Sequence, residues 1–439
     1  MRSTLQFRLS NLKLAERQTL DEVHAVTEDG QHFTLFDCQF EQLFLSCQYI
    51  ISTETTDAFV LAEVEVLDIS PWFFGFQRIQ GKPGTKIEWV NTPTEISASL
   101  TLDDRNLTVK AYPRTSIDQT DDGHLIKDSV LFSIESTTAL SISKMRRYTT
   151  DLLALLSILL GTPASISSVG VKSDNDSSGY AFFPYYEPET DAGTGTRKKE
   201  SHDYFLKKRI FEANWQAIVQ NFFPSELRDP LWLRLSGMKR YNDFWEYKVL
   251  GYVTLWEAYV SSQTQSLGKK TIAIPTKAVK RFHEKLDMNK LTLTSEQVQG
   301  VKDLADLVFQ TREYTLQEKT EIVISQTDPD IVKIINLSSD AFARLRKIRD
   351  EIAHGDIITI PPDEHPLLAT RIENLTLLLT YFAFIEFGLK KDDFLACLRS
   401  TWNRMVRGVD GCVKARKSGG RGLSKSMSHK EPVSAPCGS

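Results

Sequence analysis

Apolar and polar residues alternate with a period of two through much of residues 1–138. VHAVTEDGQHFTLFDCQF (23–40), AFVLAEVEVLDI (58–69) and EISASLTLDDRNLTVKAY (95–112) follow this pattern and are rich in Val, Ile, Thr and Phe. A period of two sends alternate side chains to opposite faces of a pleated strand, so these stretches predict strands with one buried face. Asp-Gly and Gly-Lys-Pro-Gly steps punctuate them as turns. No helix-period stretch longer than two turns intervenes, which points to an antiparallel, sandwich-like or curled domain. Within it Trp72, Phe73 and Phe74 stand in a row, read as core in preference to an exposed cluster.

The period lengthens near Ser141. SISKMRRYTTDLLALLSILLG (141–161) predicts a buried helix stopped by Gly161 and Pro163, and ISSVGVKS (166–173) a strand. The polar stretch PETDAGTGTRKKESHD (188–203) has the composition of an exposed connection. From about 202 to 400 the pattern is helical. Trp245, Val249, Tyr252, Trp256 and Tyr259 fall on one stripe at three- and four-residue steps, which reads as core rather than a base-stacking platform. DAFARLRKIRDEIAHG (340–355) predicts a shorter helix with Asp340 as N-cap and Gly355 just past its end. LATRIENLTLLLTYFAFIEFGL (368–389) predicts a long apolar helix central to a bundle. The expected fold class is therefore α+β and multidomain. A β-rich antiparallel domain (1–138) leads through a helix–strand connecting region (139–201) to an all-α bundle (202–398) and a basic, disordered tail (399–439).

Composition places the chain among globular proteins: 41% of its 439 residues are hydrophobic and 25% charged. The longest apolar run, at 152–161, is half a membrane span, and the first residues lack the apolar core of a signal peptide. Five scattered cysteines have neither metal-ligand spacing nor the density of a disulfide framework, so a reducing cytoplasm is expected. The net charge of −4 conceals an asymmetry, because the segment from Arg399 onward holds nine Lys or Arg against Asp410 and Glu431. Such a tail suits either a solvated end or contact with RNA, the solvated end being favoured.

The chain contains no GxxxxGK[ST], HExxH, GxSxG or CxxC motif, which removes support for P-loop, zinc-protease, triad or dithiol chemistry. Arginine, four to six residues and then histidine occurs three times, at Arg17/His24, Arg197/His202 and Arg349/His354. Only the third pair ends a predicted helix. The C-terminal end of a helix is electrically negative, which suits an imidazole that holds a proton. Asp350, four residues before His354, lies on the same face and is placed to orient the ring. Arg349 carries a permanent charge and a fork of donors matched to a phosphate. A proton-exchanging group beside a fixed cation is what cleavage of RNA by its own 2′-hydroxyl requires, and neither a cofactor nor a metal is expected. One histidine serves poorly as both acid and base, so a second copy of the chain would complete the site. Both side chains are expected to be substantially exposed. The same residues also fit a plain helix end with solvated charges.

The segment LRKIRDEIAHGD (345–356) resembles the Arg-polar-x-x-x-His motif of the HEPN superfamily (higher eukaryotes and prokaryotes nucleotide-binding), whose active members are dimeric, metal-independent ribonucleases. Arg349, Asp350 and His354 match the motif's arginine, polar second position and histidine. Glu257, on the upstream helix LGYVTLWEAYVSS, falls like the acidic residue often found on the first long helix of such bundles. The β-rich front half containing LDISPWFFG, followed by a helix–strand element and this bundle, resembles ApeA-type abortive-infection proteins of bacteria over residues 1–398. That resemblance implies a cytoplasmic homodimer, triggered through its N-terminal domain by a phage product, that cleaves host RNA such as tRNA and halts translation. The competing expectation is a non-catalytic module that binds a nucleotide or a protein partner, with Arg349 as a phosphate clamp. A purely structural adaptor is the third.

Overall fold

The computed structural model describes residues 18–400, apart from 42–43, 76–78, 81–87, 90–92, 121–122, 184–199, 242–243, 269, 272–275, 289–292, 310 and 357. The expected tail begins inside α12 at residues 399–400; its remainder, 401–439, and Arg17, Arg197, Cys412 and Cys437 lie outside the described residues.

The first half builds a ten-stranded sheet in which every pairing is antiparallel. Its opening strands are β1 (Gln18–Val26), β2 (His32–Glu41), β3 (Phe44–Ser46), β4 (Tyr49–Ile51) and β5 (Phe59–Val66). A short helix α1 (Ser70–Phe74) and a two-residue ribbon, β6 (Ile79–Gln80) with β7 (Glu88–Trp89), intervene. The sheet resumes with β8 (Ile96–Leu102), β9 (Arg105–Thr120) and β10 (Gly123–Leu140). It is completed by β11 (Ile166–Ser173) and β12 (Ser178–Phe182), with strand order β1-β2-β4-β12-β11-β5-β10-β9-β8 and β3 beside β2. The strands after the first long helix therefore lie at the centre of the same sheet.

Alternation decides which face is covered. In β5 Ala62, Val64 and Val66 are buried, while Glu63 and Glu65 face outward. On that outer face Tyr112 donates to Glu63, and Lys110 pairs with Glu135 at 2.7 Å. The inner face is covered by α2 (Ile142–Leu160), capped by Ser141 and ended, as the sequence predicts, at left-handed Gly161. Helix α3 (Lys208–Phe222) packs on β8, and Trp215 donates through Nε1 to the Val109 carbonyl at 3.0 Å. Trp72, Phe73 and Phe74 are buried in this core.

The second half is helical, as expected. It comprises α4 (Leu233–Arg240), α5 (Trp245–Gln263), α6 (Thr276–Met288), α7 (Ser295–Phe309), α8 (Leu316–Gln326), α9 (Pro329–Ile335), α10 (Ser339–His354), α11 (His365–Glu386) and α12 (Lys391–Ser400). A two-residue ribbon joins β13 (Lys270–Thr271) to β14 (Thr311–Arg312). The aromatic stripe of α5 is core: Val249, Tyr252, Trp256 and Tyr259 are buried and Trp245 packs against them. Helix α11 runs parallel to α5, since Trp245 meets His365 and Tyr259 meets Phe382. By length and composition α11 is the one described helix that could cross a membrane, but 72% of its most apolar window is buried within the fold. Its threonines return their hydroxyls to backbone carbonyls four residues back (Thr376 to Ile372, Thr380 to Thr376, both 2.8 Å), which satisfies them in the dry interior.

The halves share one continuous hydrophobic core. Residues 204–206 stitch them: Phe205 and Leu206 donate backbone hydrogen bonds to the end of α2, and Trp72 donates to the Leu206 carbonyl at 2.7 Å. The Phe205 ring packs in a triangle with Phe384 and Phe394, with centroids at 5.4 and 5.3 Å.

Candidate functional site

Helix α10 carries the candidate residues. Its N-cap is Ser338, whose hydroxyl accepts from the Ala341 N–H at 3.1 Å; Asp340, the expected cap, sits in the first turn instead. Ser338 wins because it is the last residue with extended backbone, φ −67° and ψ 158°, as a cap requires. The C-terminal expectation holds. Gly355 is left-handed at φ 78°, and its N–H bonds back to Glu351 and Ile352 while that of Asp356 reaches Glu351. Ala341, Phe342, Leu345 and Ile348 are buried and hold one face of the helix against α5.

Arg349 lies beside that buried face. Its Nη2 pairs with the Glu257 carboxylate on α5, and its Nη1 pairs with Asp350 at 3.0 Å. The Arg349 side chain is only 21% exposed and Glu257 26%, and the buried Arg349 Nε lacks a hydrogen-bond partner. The expected free exposure of Arg349 is thus corrected: it has turned onto α5, where a charge so far from water needs a counter-charge. Glu257 and Arg349 do meet.

His354 behaves differently. Five residues of α-helix turn through 500°, which leaves it about 140° around the axis from Arg349. It is exposed, and among the described residues it makes no hydrogen bond or ion pair. Asp350 stands between the two, touched by Arg349 on one side and by Arg346 at 3.9 Å on the other. Within one chain, then, Arg349, Asp350 and Glu257 converge, and His354 stands alone at the helix end.

His354 lies on the rim of a groove that the sequence did not reveal, a cavity of about 450 Å³ between α8 and α10. Ile324, Leu337, Phe342 and Trp256 line it with apolar surface, and the Trp256 Nε1 is satisfied by Thr320 at 3.1 Å. Glu321, Asp350, Glu351 and Asp356 oppose Arg346 and Lys347 around the mouth, so its charge is net negative. The groove depends on how two helices lie side by side, which no local pattern encodes. The other two Arg/His pairs offer nothing comparable, because their arginines lie outside the described residues and His24 and His202 sit beside Glu22 and Glu200. Among the described residues, no three His, Cys, Asp or Glu side chains gather as a metal would require.

A second polar cluster marks the seam between the halves. Asp151 of α2 is 1% exposed and lies 3.5 Å from Arg228, which also pairs with Asp229 at 3.1 Å; Asp229 in turn holds Arg147 at 2.9 Å. Burial pushes the Asp151 carboxyl up to about 6, although Arg228 and Arg147 pull it back.

Residues 3–222, half of the chain, match the model of a family described as ApeA N-terminal domain 1. The match ends with α3 and so takes in the sheet and the helices that cover it, but not α10. No curated protein and no solved structure matches the chain.

Proposed function

The chain belongs to the ApeA N-terminal domain 1 family, and from that membership we propose that it is an anti-phage abortive-infection protein whose helical half is a HEPN-type endoribonuclease. The observation that carries the proposal is the layout of α10, with an anchored Arg349 and, five residues on, an exposed His354 without a side-chain partner among the described residues, at a glycine-terminated end. Arg349 uses two of its five N–H donors on Glu257 and Asp350, which fix the guanidinium and leave donors for phosphate oxygens. The divergence of the two residues supports a site built from two copies, as an acid and a base on opposite sides of one phosphate require.

In the reaction, His354 of one copy takes the proton from a ribose 2′-hydroxyl as that oxygen attacks the adjacent phosphorus. The bond from phosphorus to the 5′-oxygen breaks, and His354 of the second copy protonates the leaving oxygen. The products are a 2′,3′-cyclic phosphate and a 5′-hydroxyl. Arg349 stabilises the charge that develops on the phosphoryl oxygens. Asp350 and Glu257 are positioning residues. Host RNA, with tRNA as the leading candidate, is the substrate, and the sheet domain receives the phage-derived trigger.

The test is RNA integrity in cells expressing wild type or His354→Ala, with and without phage, with sequencing of the cleaved ends. His354-dependent fragments bearing 2′,3′-cyclic phosphates are expected. The donors that Arg349 keeps beyond Glu257 and Asp350 also suit a second reading, a non-catalytic module for a nucleotide or protein partner in which Arg349 clamps a phosphate. Intact RNA in every condition, with folded protein and verified infection, selects that module and rejects the ribonuclease.

A further inference from the structure

Resting on that reading of His354, we propose that the groove between α8 and α10 is a base-binding subsite that takes one unstacked guanine of the RNA beside the scissile phosphate. Size comes first. The cavity of about 450 Å³ falls within the range of small-molecule sites, roughly 300 to 1,000 Å³, and a single nucleoside belongs to that class of ligand.

Charge decides next between backbone and base. Four carboxylates against two cations in its lining repel phosphate, so the sugar–phosphate strand stays outside, at His354. What enters must be uncharged, flat and apolar on its faces, with donors on its edge. Sequence-specific proteins bind single-stranded RNA through bases of this kind, splayed out and read on their Watson–Crick edges.

The acceptors choose the base. Asp350 is engaged by Arg349 and Arg346, and Glu351 by Lys347 at 3.8 Å. Of the two carboxylates without a cation partner among the described residues, Asp356 lies past the end of α10, while Glu321 stands on the α8 wall and accepts only from Gln317 at 3.1 Å. Guanine presents two adjacent donors, N1–H and N2–H, at the spacing of a carboxylate's two oxygens. Uracil presents one donor between two acceptors. The position of His354 on the same rim places the reacting ribose next to the bound base.

Calorimetric titration of guanosine and uridine into the full chain tests this without depending on cleavage. Guanosine should bind at least about tenfold more tightly than uridine. Ala343→Trp, which fills the groove from an exposed position, should abolish guanosine binding with circular dichroism and thermal midpoint unchanged. Glu321→Gln should bring guanosine down to the uridine level. Equal affinities, no guanosine binding, or guanosine binding that survives Ala343→Trp overturns the subsite. The two proposals fail separately. Guanosine binding without His354-dependent fragments sinks the ribonuclease alone, and His354-dependent fragments with no preferred base beside the cut sink the subsite alone.

Discussion

Asp151 is a carboxylate held almost wholly away from water, with its Oδ2 outside any hydrogen bond and Arg228 at 3.5 Å. Its folded pKa of about 6 lies above the ordinary value of about 3.9. A group raised in the folded state contributes stability that is complete below about pH 4 and lost as pH rises through about 6. This carboxylate therefore weakens the fold at neutral pH. Asp151→Asn should remove that dependence, giving a thermal midpoint at pH 7.5 equal to or above wild type and a flatter profile between pH 4 and 6. A lower midpoint at pH 7.5 would show that the ion pair with Arg228 outweighs burial. At the same scale, the sequence identified Arg349, Asp350, His354 and Glu257 as candidates but not their spatial relations. That Glu257 holds Arg349 depends on the register of α5 against α10, and the turning of Arg349 away from His354 on which side of α10 faces the core.

Elements were legible where local chemistry alone decides them. Period-two alternation marks β5 and β9, Gly161 stops α2, and Gly355 ends α10. Asp340 misled because Ser338 and Asp340 both suit a cap, and only the backbone angles choose. Gly388 follows α11 at φ 87°, and a Cβ there would lie 2.7 Å from Asn221 Nδ2 and 3.2 Å from Ala217 Cβ on α3. Gly355, at φ 78°, has open space where a Cβ would go. Replacing each by alanine separates backbone strain from crowding. Gly355→Ala should cost about 1 kcal/mol, and Gly388→Ala about 2–3 kcal/mol, read by denaturant unfolding. Equal losses would mean that α3 yields freely to the added methyl.

At the scale of the whole molecule the antiparallel sheet followed by a helical half was legible, but the order of strands was not. β11 pairs with β5 a hundred residues upstream in the chain, and such pairing is fixed by tertiary packing rather than by neighbours in sequence. Because the core runs unbroken from sheet to bundle, the halves should unfold together. Loss of helical circular dichroism and of fluorescence from Trp72, Trp215, Trp232 and Trp256 should coincide in one transition; two separated transitions would show that the seam at Asp151 and Arg228 is a weak joint. The end of α10 carries a genetic consequence under the proposed function. If each site draws one His354 from each of two chains, a chain that lacks the histidine spoils every pair it joins. Cells producing wild-type and His354→Ala chains in equal amounts would keep only about a quarter of their pairs intact. Such cells would lose most of their phage resistance, whereas chains that worked singly would keep about half of their active sites.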